Sequence, residues 1–229
     1  MCTRFYVEED VFRPYIERAR RLPLAYQMME QLAKPMDMYG EMYPDDMTVV
    51  LAPDKRGGIA AFPMLWGFSV RETDAPLINC RLESASYKPL WKDSWFRRRC
   101  IIPASWYYEW EHFASPDGKK RIIGAKYAIQ PSGETVTWLA GLYRYEERGR
   151  IRVPVFAVLT RHPSFSVETL HDRMPLVLPK DCIAEWVRPD GDPAEIAQKA
   201  LELMVCEKGI VQAEDPNEPP ENRRRFRGV

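Results

Sequence analysis

Between residues 47 and 160 the chain is a succession of short runs rich in β-branched and aromatic residues, each ended by a turn signal. This constrains the fold more than any other feature. MTVVLAP (47–53), IAAFPMLWGF (59–68), PLINCRLES (76–84) and CIIPASWYYEWEHF (100–113) read as strands, as do KYAIQ (126–130), TVTWLAGLYRYE (135–146) and VPVFAVLT (153–160). DKRGG, SPDGKK and PSGE supply the breaks. Helical spacing is confined to residues 8–33, where Pro14 and Pro23 divide it into one or two short helices, and to about 163–170 and 192–206. Many strands with few helices predict an α+β, mostly-β single domain, a barrel or curled sheet with a few flanking helices, over residues 1–208. Residues 209–229 are polar and Pro-rich without apolar periodicity, and read as a flexible tail ending in the basic RRRFR.

Composition removes several classes. With 45% hydrophobic and 29% charged residues the chain cannot be disordered throughout. Lys+Arg and Asp+Glu both number 33, so a polyanion would have to be held by a local basic patch, for which the RRR at 97–99 is one source. Charges begin at Arg4 and Glu8, unlike a secretory signal, and no apolar run approaches the roughly 20 residues of a membrane span, so a cytoplasmic protein is expected. Cys2, Cys80, Cys100, Cys182 and Cys206 are odd in number and lack a C-x-x-C pair, which reads as reduced thiols. The three dispersed histidines have no zinc-ligand spacing, and no metal or cofactor is expected.

Four segments hold residues able to carry chemistry. In MCTRF, Cys2 follows Met1 directly; removal of Met1 would give it a free α-amine beside its thiol. Strand alternation in LINCRLES sends Ile78, Cys80 and Leu82 to the core and Asn79, Arg81 and Glu83 to solvent or a cleft. In WYYEW, Trp106, Tyr108 and Trp110 share one face, Tyr107 and Glu109 the other. Glu109 is either a solvated residue on an outer face or a carboxylate desolvated among aromatics, able to trade protons near neutrality. In HDRMPLVLP (171–179), His171 can shuttle protons, with Asp172 or Arg173 orienting it or binding an anion. The bland alternative is an ordinary loop histidine.

MC-x-R at the start, LIN-x-R-x-E at 77–83, RCIIPA…YYEW at 99–110 and HDRMPLVL at 171–178 stand in the order seen in the SOS-response-associated peptidase (SRAP) family, which the chain therefore resembles. The resemblance implies a β-rich α+β fold that crosslinks covalently to abasic sites in single-stranded DNA. It places the nucleophile on Cys2, the asparagine on Asn79, the carboxylate on Glu109 and the histidine on His171. It puts Arg81 and Arg173 against phosphates, with Arg4 a further candidate, and it implies autocatalytic-type removal of Met1. The expected partner is single-stranded DNA containing abasic sites, met by a monomer. Trp66 or Trp106 could offer a surface for stacked bases.

The chemistry explains why such a chain needs cysteine at position 2. A neutral primary amine attacks an aldehyde to give an imine, and an α-amine, with a pKa of about 7.7–8.0 against about 10.4 for lysine, is far more often neutral at pH 7. The neighbouring thiol then closes a five-membered thiazolidine. Two rivals remain open: an N-terminal-nucleophile cysteine peptidase or amidohydrolase using Cys2 with Asn79 in an oxyanion hole, and a binding protein in which Cys2 is incidental.

Overall fold

A computed structural model describes residues 2–71, 73–115, 117, 119, 121–203 and 209–212. The chain begins with strand β1 (Arg4–Val7), helices α1 (Glu9–Arg20) and α2 (Pro23–Leu32), and strand β2 (Gly40–Met42). Next come β3 (Met47–Pro53), β4 (Ile59–Trp66), β5 (Phe68–Val70), β6 (Thr73–Leu77) and β7 (Asn79–Arg81), then α3 (Leu82–Ala85) and α4 (Pro89–Arg97). The long strands follow: β8 (Arg99–Ala104), β9 (Trp106–Ala114), β10 (Arg121–Gln130), β11 (Thr137–Arg148) and β12 (Ile151–Arg161). α5 (Phe165–Glu168), β13 (Met174–Pro175), α6 (Lys180–Val187), α7 (Pro193–Leu203) and β14 (Gly209–Gln212) complete the described chain.

The expected barrel is present. Strands β11, β8, β3 and β4 pair in that order, β4 pairs β12 in parallel, and β12 returns to β11, closing the ring. β12 is buried over Val153–Thr160 because one face fills the barrel while the other is covered, α2 packing against it. This is why it reads as a near-continuous apolar run instead of an alternating one. The β11–β12 hairpin turns at Gly149, whose φ of +62° suits glycine in a two-residue loop.

A second sheet runs in the order β14-β10-β9-β1-β2, and it is joined to the barrel through a shared length of chain. β8 and β9 are one run, with Ser105 at the junction. There the Ser105 N–H donates to the Tyr6 carbonyl (2.7 Å), its Oγ accepts the Glu8 N–H (3.1 Å) and its carbonyl accepts the Thr137 hydroxyl (3.0 Å). Buried backbone groups freed by the change of sheet are thereby satisfied.

Several local expectations need correction. PLINCRLES is not one strand: β6 ends at Leu77, β7 covers Asn79–Arg81, and Glu83 lies on α3. Helices are not confined to the ends, since α4 occupies PLWKDSWFR. Trp91 and Trp95, one turn apart, both bury there, and Pro89 sits in the first turn, where its missing N–H costs nothing. Pro14 lies inside α1 without ending it, and Pro23 starts α2. The RRR at 97–99 is not a basic patch. Arg99 is 1% exposed and donates to the carbonyls of Trp186 (2.6 Å), Trp95 (3.0 Å), Phe96 (3.1 Å), Gly191 (3.1 Å) and Arg188, tying α4 to the end of α6. Arg97 and Arg98 both face Asp93. Trp66 and Trp106 are each 1% exposed, which removes both as surfaces for stacked bases.

Of the segment expected to be a tail, Gly209–Gln212 pairs antiparallel with β10, and 213–229 lie outside the described residues. Among the described residues no helix is long and apolar enough to cross a membrane.

Candidate active site

Strand β1 carries the N-terminal residues into the protein. It pairs antiparallel with β9 in the register Arg4↔Tyr108, Phe5↔Tyr107, Tyr6↔Trp106, and one step further the same register sets Thr3 beside Glu109. Both faces of β1 are packed. Phe5 is fully buried with its ring 4.9 Å from that of Trp66, and Tyr6 stacks on Trp106 at 4.5 Å. A phenyl side chain buried this way contributes about 1.5–3 kcal/mol, so the lead into residue 2 is firmly placed.

Cys2 is fully buried. Asn79 Nδ2 donates to its carbonyl at 2.8 Å, and Asn79 Oδ1 is buried with no hydrogen-bond partner among the described residues. Asn79 reaches this point because β7 pairs in parallel with β12, Asn79 opposite Val158. Burial, with the nearby Glu109 carboxyl adding to it, pushes the Cys2 thiol from 9.0 up to about 12. At neutral pH the sulfur therefore carries its proton.

Glu109 is 2% exposed, which decides between the two readings of WYYEW in favour of the desolvated carboxylate. One oxygen accepts the Trp110 N–H at 3.2 Å. The alternation is as expected: Tyr107 joins the main core, while Trp106 and Tyr108 form a separate cluster with Tyr6 and Trp110. A pocket of about 440 Å³ opens here, lined by Thr3, Arg4, Glu109, Trp110, His112, Ile123 and His171.

His171 enters from the loop between α5 and β13, its N–H bonded to the Val167 carbonyl (3.0 Å). It is 7% exposed. Its Nδ1 accepts the Arg173 N–H at 3.0 Å and lies 2.7 Å from Asp172 Oδ1. Without a proton, Nδ1 accepts from Arg173; with one, it donates to Asp172. Both protonation states thus have a partner, which suits a group that gives and takes protons.

The arginines divide. Arg173 is 7% exposed in its side chain, with Nη1 and Nη2 donating to the two Glu83 oxygens (2.8 and 3.0 Å) and Nη2 also to the Thr160 carbonyl (2.6 Å). Burial pushes the Glu83 carboxyl up, but the Arg173 hydrogen bonds and charge outweigh it and hold the group below its ordinary 4.5. Arg173 is thus committed to an internal pair, and its backbone holds His171. Arg81 is exposed at the end of β7. Arg4 lines the pocket, with its guanidinium 3.9 Å from the centre of the Tyr43 ring and 3.8 Å from Glu41.

His112 escaped the reading of the sequence. Its only signal was a histidine two places beyond Trp110 in an aromatic strand. The register between β9 and β10 is irregular between Ile123 and Lys126, opposite residues 110–112, and such bulges re-aim side chains. Here His112 meets the same pocket as Glu109, and its ring lies 4.9 Å from that of His171.

The family model described as SOS response associated peptidase (SRAP) matches residues 1–210. The abasic site processing protein YoaM of Bacillus subtilis (strain 168) is 29% identical over 126 residues, 55% of this chain and 53% of YoaM. The abasic site processing protein YedK of Escherichia coli (strain K12) is 27% identical over 158 residues, 69% of this chain and 68% of YedK. The chain thus spans about half the length of the Bacillus relative and two thirds of the Escherichia one. Among solved structures, a protein from Bacteroides thetaiotaomicron shares the fold with a TM-score of 0.68 at 17% identity, covering 95% of this chain and 97% of the other.

Proposed function

The chain belongs to the SOS response associated peptidase (SRAP) family, and on that premise we propose that it processes abasic sites in single-stranded DNA by forming a covalent thiazolidine through Cys2. The observation that carries this reading is the seating of Cys2: buried, held at its carbonyl by Asn79, and within reach of the charge of Glu109, which lines a pocket with the adjoining Thr3 and with His171. Once Met1 is removed, Cys2 carries its amine and thiol one residue from Thr3, which lines that pocket.

The steps follow from the residues. The neutral amine adds to the open-form aldehyde of the abasic sugar, and loss of water gives the imine. The sulfur then bonds to the carbon of the protonated imine, the C=N electron pair returns to nitrogen and the thiol gives up its proton, so aldehyde and aminothiol become a thiazolidine and one water. Ring closure is intramolecular, where effective molarities of about 10⁵–10⁸ M are reached. A thiol held near pH 12 needs a base, and Glu109 is the carboxylate whose charge it feels. Asn79 fixes the main chain through Nδ2 and offers its buried Oδ1 to the amine. His171 donates to the sugar oxygen as the ring opens. Exposed Arg81 and pocket-lining Arg4 face phosphates, and the protein acts as a monomer.

The peptidase or amidohydrolase alternative would use the same Cys2 and is distinguished by turnover of an amide substrate without DNA and by the absence of a crosslinked band. The test is incubation with an abasic single-stranded oligonucleotide followed by denaturing electrophoresis. A shifted band with the wild type and none with Cys2→Ala is expected. No band with the wild type overturns the proposal; a band surviving in Cys2→Ala assigns the chemistry to another nucleophile.

A further inference from the structure

Two of the chain's three histidines, far apart in sequence, meet at the proposed reaction pocket. The rings of His112 and His171 have centroids 4.9 Å apart with planes inclined at 55°. Nothing in the sequence motifs assigns His112 a task, and the mechanism above uses only its neighbour.

Two imidazoles this close disfavour double protonation, because the second positive charge forms beside the first. Such a pair releases its protons in two steps that belong to the pair, and between them it holds one proton. The surrounding charges support that state. Glu109 on β9 and Asp172 beside His171 favour the first proton. Arg4 on β1 opposes a second, while the Arg173 charge is answered by Glu83 and that of Lys126 on β10 by Glu41. Glu111 adjoins His112 along β9.

We infer that His112 is a second proton-transferring group for the aldehyde chemistry at Cys2, sharing one proton with His171 so that one ring donates while the other accepts. The inference rests on the proposed crosslinking and deepens it. That reaction needs both functions in turn. When the hydroxyl leaves the carbinolamine, the C–O bond breaks, the nitrogen lone pair forms the C=N bond, and a proton from the imidazolium completes the water. When the sulfur–carbon bond forms, the thiol proton passes through Glu109 back to the pair. The pair ends as it began, and one water is released.

The experiment compares the wild type, His112→Gln and His171→Gln. Single-turnover crosslinking to an abasic single-stranded oligonucleotide is followed across roughly pH 5 to 8, the range in which imidazoles change charge. Affinity for the same oligonucleotide carrying a tetrahydrofuran, which has no aldehyde, is measured alongside. His112→Gln is expected to slow crosslinking by about 10²-fold, at the lower end for loss of an acid–base group, and to remove one limb of the pH profile while tetrahydrofuran affinity is unchanged. A merely structural His112 would move affinity or leave the pH profile intact. NMR titration of the imidazole nitrogens in the free wild-type protein needs no variant and no DNA. Two separated steps shared by both rings are expected; independent single titrations overturn the pairing. An unchanged rate and profile in His112→Gln, with an active wild type, overturns the His112 assignment alone. An inactive wild type overturns the crosslinking reading itself.

Discussion

Replacing Arg173 by methionine separates two roles that sequence alone could not tell apart. A phosphate-contacting arginine would be exposed and nearly free of internal partners, whereas this one is 7% exposed and bound to Glu83 and the Thr160 carbonyl. Breaking a fully buried ion pair costs about 3–5 kcal/mol. Glu83 is 43% exposed in its side chain, so water recovers part of that loss once its partner is gone. Thr160 is fully buried, and its carbonyl, deprived of a donor, adds a penalty of about 1–3 kcal/mol. The net expectation is a destabilisation of roughly 2–4 kcal/mol, or a Tm lowered by about 4–16 °C for a chain of this size. Differential scanning calorimetry measures it, with Glu83→Gln and the double variant closing a cycle whose coupling should reach about 1–3 kcal/mol. The companion assay is non-covalent binding to a single-stranded oligonucleotide over a range of salt. Loss of a phosphate contact lowers the slope of log K against log salt by about 1, and Arg173→Met is expected to leave it unchanged. A melting point within about 1 °C of the wild type, together with a lower salt slope, would refute the internal role argued from the geometry.

Glu109→Gln is expected to slow crosslinking by about 10²–10⁴, because the amide keeps the shape and loses the base; an unchanged single-turnover rate returns Glu109 to a packing role. Gly67 has φ +123°, and a Cβ there would stand 2.5 Å from Pro76 Cβ, so Gly67→Ala should cost about 1–3 kcal/mol for backbone strain and as much again for the clash, read from urea unfolding. Alkaline stability follows the thiols. Cys2 and Cys80 are both raised from 9.0 to about 12, so the folded state keeps protons that the unfolded chain releases. Their contribution is whole below pH 9 and is lost as pH climbs toward 12, at about 1.4 kcal/mol per pH unit for each thiol. Urea midpoints at successive pH values measure the fall, which Cys2→Ala with Cys80→Ala should reduce, leaving the share of the buried Cys100 thiol, which burial also pushes up. At the acid end the sign reverses: Glu83 is lowered from 4.5 in the folded state, so its pairing stabilises above that pH and is lost below it, which acid titration of Glu83→Gln tests.

The barrel was legible because its strands carry their own signatures; MTVVLAP became β3 without a shift of either end. Alternation in WYYEW correctly split Tyr107 from its neighbours. It could not say whether Glu109 faces water, since that depends on β1 lying alongside, a pairing between residues about a hundred apart. α4 was missed because its buried tryptophans are as common in strands as in helices, and only the Pro89 start and the i, i+4 spacing distinguish them. Arg99 was misread for a similar reason: three consecutive arginines look alike in sequence, while the carbonyls that absorb the third come from α4 and, far along the chain, from the end of α6. His112 stayed hidden because its relevance arises from a register irregularity and from a loop that follows α5.

The junction at Ser105 has a mechanical meaning. A single ribbon is a stave of the barrel up to Ala104 and, five residues later, the mount for Glu109. Its three hydrogen bonds, to Tyr6, Glu8 and Thr137, fix the elbow from both sides. The carboxylate therefore inherits the stiffness of the interior to which its strand is welded. Tyr6 and Glu8 also tie the chain just beyond Cys2 to that elbow, so sulfur and carboxylate share one reference frame.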